Sequence, residues 1–547
     1  ELRHPMTKIT TRRLHRAALA ALLVCLGLGL AACGGGTSDG GPPPEPIGPC
    51  ESGGGPLITV SGQVSYVRPI LGITGLGPAT ETRSARHVDV EVHNAATGAC
   101  YGRGSTDGSG AYSLDVDPPV GATIEVVAYS RTLADPARDL IVHEADPPFS
   151  NLHSETNAFF HSSTPFVAAT TTADILVPYT GGPANRPSIG FGVLDTLVTS
   201  WDTSTAAIGA SLPRCHVYTR VGNNFALGQT SYYDHSVRSL AFLGGSAGLP
   251  DNSDTDYFDD AVVAHEYMHY FDKHVSHNMS RGGSHSGQLL EPNFSWSEGC
   301  ATGFGCLLLR DPNYIDTFST DGGILFRWNI ENVTASDNDT LADEVTVAEI
   351  VYDLGDGGAG PADGDADGIN ATYAELFDAL TTFDPATDAP YIGLFLDRVV
   401  AATAITPAAM GAFLAGPPED QQISYPLVGD DVWPTAIGLG GLETGMCDST
   451  VDNPCRGYLA SRWFQFTLAT AQVVTIDLAI SPLPGTADDL DLYLTRNSDA
   501  FTPIASSRNA GATPESINVS LAAGTYIIRV EANCGALNRA NFTLSLN

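Results

Sequence analysis

The hydrophobic period of this chain changes twice, and that change limits what it can fold into. From residue 57 to about 131, apolar residues alternate with polar ones, as in "LITVSGQVSYV", "HVDVEVHNAATG", "GAYSLDV" and "TIEVVAYSR". A two-residue period belongs to half-buried strands, and turn signals such as "TDGSG" separate these runs. From about 133 to 425 the spacing becomes helical. Val193, Leu194, Leu197, Val198 and Trp201 fall on one face of a predicted helix at 190–209, and further helices are predicted at 297–310, 344–354, 371–382, 390–403 and 407–414. From 430 onward the two-residue period returns in "WFQFTLA", "VVTIDLAI" and "DLDLYLTR". A chain of 547 residues exceeds what one core can organise. The expected fold class is therefore multidomain: an N-terminal β-sandwich over 57–132, a central α+β domain over 133–425, and a C-terminal β-sandwich over 430–547.

The N-terminus reads as a targeting segment. Lys8, Arg12, Arg13 and Arg16 precede an apolar run from Ala17 to Leu30, too short to span a bilayer and suited to a signal-peptide core. It ends in Leu30-Ala31-Ala32-Cys33, which resembles the bacterial lipobox. That resemblance implies a signal peptide over 1–32, lipidation of Cys33, and anchorage in a bacterial cell envelope or release from it. Residues 33–56, rich in Gly and Pro, read as a tether. The net charge of −36, with Lys8 and Lys273 as the two lysines, argues against nucleic-acid binding. Setting aside Cys25 and Cys33 leaves eight of the ten cysteines, an even count that suggests disulfides in an oxidising compartment. The expected local pairs are Cys447 with Cys455 and Cys300 with Cys306.

The segment "DDAVVAHEYMHYFDKHVSH" (259–277) carries the chemistry. A helix through His274, capped by Asp254 or Asp256, places His265 and His269 one turn apart on one face, where two imidazoles can reach one zinc. Glu266 beside the first histidine can reach a water at the metal without coordinating it. The bland reading is a solvated acidic helix whose histidines pair with Asp259, Asp260 and Asp272. A catalytic zinc also needs a third ligand. Glycine and histidine three and six residues after His269 would make one familiar arrangement, but those positions hold Asp272 and Val275. His277 and His285 are available, as is Glu298 in "FSWSEGCATGFGCLLL", where a carboxylate is expected to open an apolar helix.

"HEYMH" with the later "SEGCATG" resembles the gluzincin metallopeptidases, on their fungalysin and thermolysin side. The resemblance implies that His265, His269 and Glu298 are zinc ligands and Glu266 the general base. Where those enzymes carry an aspartate that orients the first histidine, this chain has Thr302, so Thr302 or Asp260 would take that part. The oxyanion-stabilising residue has no matching motif, and Tyr352 in "VAEIVYDLGD" is the candidate. The run "TDGSGAYSL" is similar to transthyretin-like domains and reads as part of a spacer or adhesive module. "WFQFTL", "DLDLYL" and "AAGTYIIRV" resemble the pre-peptidase C-terminal domain that follows secreted bacterial proteases.

Asp363, Asp365 and Asp367 with Gly368 match the front half of a calcium loop, although Glu375 falls one position beyond the expected closing ligand. The strand expected at 239–245 is placed to pair with an extended substrate. The resulting expectation is a lipid-anchored zinc metallopeptidase acting on proteins or peptides, with the bilayer as its anchor and calcium as a second ion. The alternative is a catalytically silent zinc- or calcium-binding surface lipoprotein used for adhesion.

Overall fold

The computed structural model describes residues 48–143, 158–179, 186–220, 230–234, 239–243, 256–283, 285, 289–318, 323–331, 340–357, 368–415, 424–427, 432–449, 457–483, 488–533 and 538–547. The signal segment, Cys33 and the calcium-loop aspartates Asp363, Asp365 and Asp367 lie outside these. Among the described residues no helix is long and apolar enough to cross a membrane.

The first unit is built from β1 (Ile58–Gly72), β2 (Gly75–Ser84), β3 (Asp89–Asn94), β4 (Cys100–Ser105), β5 (Ala111–Val116) and β6 (Thr123–Tyr129). β1 pairs with β2 and β5, whereas β3 lies between β4 and β6. Alternate residues of β1, Val60, Val64 and Tyr66, are fully buried between the layers. The chain then leaves for β7 (Leu140–His143) and returns as β8 (Phe160–Ser162), β9 (Phe166–Val167), β10 (Thr171–Thr172) and β11 (Ile175–Val177). β8 and β9 extend the β6 edge, and β10 and β11 run parallel to β1. The sandwich therefore reaches Val177, well past the expected boundary at 132. Strands of two or three residues are too short to show alternation.

The central unit comprises α1 (Arg186–Ile208), β12 (Cys215–Arg220), β13 (Tyr232–Asp234), β14 (Ser239–Leu243), α2 (Asp260–Val275), α3 (Pro292–Leu309), β15 (Asn313–Phe318), β16 (Gly323–Asn329), α4 (Glu344–Asp353), α5 (Tyr373–Thr381), α6 (Ile392–Ala402) and α7 (Pro407–Leu414). Its sheet runs β13-β14-β12-β7, with β13 antiparallel and the others parallel. The strand expected to receive substrate is thus flanked on both sides, and among the described strands the edges are β13 and β7. Asp259, rather than Asp254 or Asp256, precedes α2, while Asp256 opens a 3-10 turn over Asp256–Phe258. The Asp259 carboxylate is engaged by the Thr317 amide at 2.7 Å instead of capping the helix. α3 starts at Pro292, a residue preorganised for a first helical turn, so Glu298 lies well inside the helix and does not open it.

The third unit contains β17 (Thr435–Ala436), β18 (Gly441–Asp448), β19 (Ser461–Leu468), β20 (Gln472–Pro482), β21 (Leu490–Arg496), β22 (Ala505–Ser507), β23 (Glu515–Leu521), β24 (Gly524–Ala532) and β25 (Arg539–Leu546). Two sheets, β17-β19-β24-β21-β22 and β18-β25-β20-β23, close over Phe464, Phe466, Ile476, Leu492, Ile528 and Phe542. The first two units share one continuous apolar cluster, so the N-terminal sandwich is packed into the core of the central unit.

Cys50 is bonded to Cys100. The expected Cys300–Cys306 pair is absent, both thiols being free and buried in α3. Six residues along a helix separate their Cα atoms by about 9 Å in rise alone, beyond disulfide reach. Cys447 is also free and buried, and Cys455 lies outside the described residues.

Candidate metal centre

α2 is amphipathic, with Val263, Ala264, Tyr267, Met268, Tyr270 and Phe271 buried, and its remaining face meets α3. The approach is close because Gly305 of α3 faces the His265 backbone. A methyl group there would lie 3.1 Å from His265 N. Across that contact His265 Nε2 and His269 Nε2 are 3.0 Å apart, and Glu298 Oε2 is 3.4 and 3.2 Å from them. Ligand atoms about 2.1 Å from a tetrahedral zinc stand about 3.4 Å from one another, so this donor set fits that ion. The three side chains are 8%, 14% and 10% exposed, which leaves little water to satisfy them.

The electrostatics of the metal-free group are those of a cation bound by a carboxylate. Burial lowers the His269 pKa, but Glu298 outweighs it and lifts the imidazole to about 9. Burial likewise raises Glu298, yet His269 and His285 hold it well below the usual carboxylate range.

Of the two candidates for orienting His265, Thr302 is the one in place. Its Oγ1 is 2.9 Å from His265 Nδ1, so in the tautomer protonated at Nδ1 the ring N–H donates to the hydroxyl and Nε2 is left to present its lone pair to the centre. Asp260 is engaged elsewhere. It accepts from Arg68 of β1 at 2.9 Å and from Thr196 of α1 at 2.7 Å.

Tyr352 is not brought to the group. It is fully buried, its hydroxyl has no hydrogen-bond partner among the described residues, and the titratable groups around it are Glu331, Cys306, Asp356 and Asp311, at and beyond the C-terminal end of α3. Helical periodicity places a residue on a face without saying which end of a neighbouring helix it meets. His277 is buried beside the Asn497 backbone of the third unit, away from the centre.

Two further residues reach the centre: His285, which the sequence offers as a spare histidine, and Tyr314. His285 Nε2 is 3.3 Å from Glu298 Oε2, while its Nδ1 is 2.6 Å from Glu344 Oε2. Burial opposes its charge, but Glu344 and Glu298 lift it to about 10. Tyr314 of β15 sets its ring edge-on to His265, with centroids 6.1 Å apart. Glu266 is buried within electrostatic range of His269, His285 and Tyr314. No periodic signal marks His285 in its Gly/Ser-rich stretch. Histidine content near the motif was the only sign of it.

Residues 460–532, β19 to β24, match the model of the bacterial pre-peptidase C-terminal domain. The third unit is such a domain. It is similar to the pre-peptidase C-terminal domain of collagenase from Bacillus anthracis, at 18% identity over 21% of this chain and 93% of that one, with a TM-score of 0.17. A 9R-lipoxygenase from Cyanothece matches at 12% identity over 29% of this chain and 25% of that one, with a TM-score of 0.15. No curated protein matches the sequence. The pre-peptidase C-terminal domain packs directly on the segment between α2 and α3, and Leu290 forms a bridge with Gly457.

Proposed function

We propose that this chain is a zinc-dependent peptidase, held outside the cytoplasm by a lipid on Cys33. The convergence of His265 Nε2, His269 Nε2 and Glu298 Oε2 within 3.4 Å carries the reading. His265, His269 and Glu298 would hold the zinc, which would supply Lewis acidity toward a substrate carbonyl and toward water near neutral pH. Glu266 takes the proton of the attacking water and passes it to the leaving amine. Thr302 fixes the ring of His265. His285, braced at Nδ1 by Glu344, takes the part first given to Tyr352 and donates from Nε2 to the carbonyl oxygen as charge develops there.

The test compares the chain from Gly34 onward with its Glu266→Gln variant, using quenched peptides and an unfolded protein as substrates. Chelator-sensitive cleavage by the wild type, with at least a hundredfold loss in Glu266→Gln at unchanged zinc content, is the expected result. Zinc-loaded, folded wild type without turnover would replace the peptidase by a silent metal-binding module.

A further inference from the structure

The described residues on either side of His285 are fixed by the pre-peptidase C-terminal domain. Upstream, Arg281 Nη1 donates to Glu531 Oε2 of β24 at 2.9 Å, and its Nη2 donates to Glu291, the residue before α3. Ser461 of β19 donates to that same Glu291 oxygen at 2.6 Å and accepts from the Trp463 indole at 2.9 Å. The Trp463 ring lies 5.7 Å from the guanidinium of Arg281 and 5.5 Å from that of Arg529. Downstream, the Tyr458 amide donates to the Leu289 carbonyl at 3.0 Å, next to the Leu290–Gly457 bridge. Met279, Ala389, Trp463, Ala500 and Ile527 form a dry cluster beneath this seam.

The seam differs from the solvated contact expected of a detachable appendage. The Glu291 side chain is 1% exposed, and those of Arg281 and Glu531 are 10% and 9% exposed. Charges removed from water depend on the geometry of their partners, so a shift of Glu531 takes away one of the two carboxylates that hold Arg281 and moves the guanidinium against the other, Glu291. Arg281 holds Glu291, and Glu298 is two helical turns further along α3. The same guanidinium is four residues before His285.

We propose that Glu531, Ser461 and Trp463 are positioning residues of the metal centre. Acting through Arg281 and Glu291, they set where Glu298 and His285 stand, and this rests on the peptidase reading above. The C-terminal domain is then a working part of the catalytic unit.

The test uses the full mature chain with Glu531→Gln and Ser461→Ala, plus Glu531→Asp as the conservative replacement. Ser516→Ala, whose exposed hydroxyl donates to Asp477 of the neighbouring strand β20 in the sheet that does not carry β19 and β24, is the control. Zinc affinity by chelator competition, the visible spectrum of the cobalt-substituted protein, and kcat and KM are read after near-ultraviolet circular dichroism confirms the fold. Glu531→Gln and Ser461→Ala should each bind zinc about tenfold more weakly, with an altered cobalt spectrum and kcat lowered at similar KM. Glu531→Asp should recover part of the loss, and Ser516→Ala should match wild type. If Glu531→Gln fails to fold, Ser461→Ala decides, since it removes one hydroxyl. Folded variants with wild-type affinity, spectrum and kcat overturn the proposal. Wild type that binds zinc without turnover sinks only the peptidase reading, because affinity and spectrum still judge positioning. Wild type that binds no zinc sinks both.

Discussion

Thr302 orients His265 with a hydroxyl where a carboxylate could do the same, and that choice has a measurable cost. A neutral acceptor orients His265 without adding negative charge behind it. Thr302→Val keeps the shape and removes the acceptor. Zinc affinity should fall about tenfold, read by chelator competition, with the helix content unchanged. The protonation of His269 gives a second measurement. Metal binding needs the neutral ring, so zinc should expel about one proton at pH 7, seen by calorimetry in buffers of different ionisation enthalpy. Because that imidazole is held near 9, apparent affinity should rise about tenfold per pH unit from 7 to 9 and then flatten. Without zinc the sign is opposite. Wherever Glu298 is ionised, the His269–Glu298 pair stabilises the fold fully below about pH 6.5 and loses that contribution as pH rises through 9. His265, Glu266 and His269 were legible because one helical turn relates them. His285 is visible in the sequence only as an available histidine and Tyr314 not at all, since each reaches the centre through tertiary packing that leaves no local pattern.

At the level of elements, α3 is the piece on which the centre depends. It is clamped between α2 and α4, and glycine makes both contacts possible. A Cβ on Gly299 would lie 2.5 Å from Val347 Cβ and 2.6 Å from Glu344 O, and one on Gly303 would lie 2.7 Å from Ala348 O. Gly299→Ala should therefore destabilise the chain by about 1–3 kcal/mol in denaturant unfolding, and it should weaken zinc binding because Glu298 is the adjacent residue. The long periodic helices were readable from sequence, most to within about two residues. α3 began earlier than its pattern suggested because Pro292 and Asn293 carry no apolar period. The β8–β11 strands and the edge strand β13 were missed because their lengths fall below one alternation. The even cysteine count was read as pairing, but it says nothing about geometry along a helix.

Across the whole molecule, both flanking sandwiches reach the helices that hold the centre. Arg68 of β1, 1% exposed, pairs with Asp260 in the first turn of α2, and Tyr66 of the same strand donates to Asp195 of α1 at 2.8 Å. The C-terminal domain takes hold of the start of α3. The sequence allowed three units to be counted, and the shared core of the first two could not be inferred from periodicity, which reports faces but not what they meet. Within this assembly Cys215, Cys300, Cys306 and Cys447 remain free thiols, sealed by packing, and burial pushes each of them well above the ordinary thiol range. Reaction with an alkylating reagent requires a thiolate that the reagent can touch, and the native fold denies both conditions. Each buried sulfur should therefore stay unlabelled until its own neighbourhood opens. A timed iodoacetamide pulse, resolved peptide by peptide in a mass spectrometer, should give Cys447 one opening rate and Cys300 and Cys306 a common one. Removing zinc should hasten the latter pair first, making the unpaired sulfurs a built-in clock for which part of the chain comes apart.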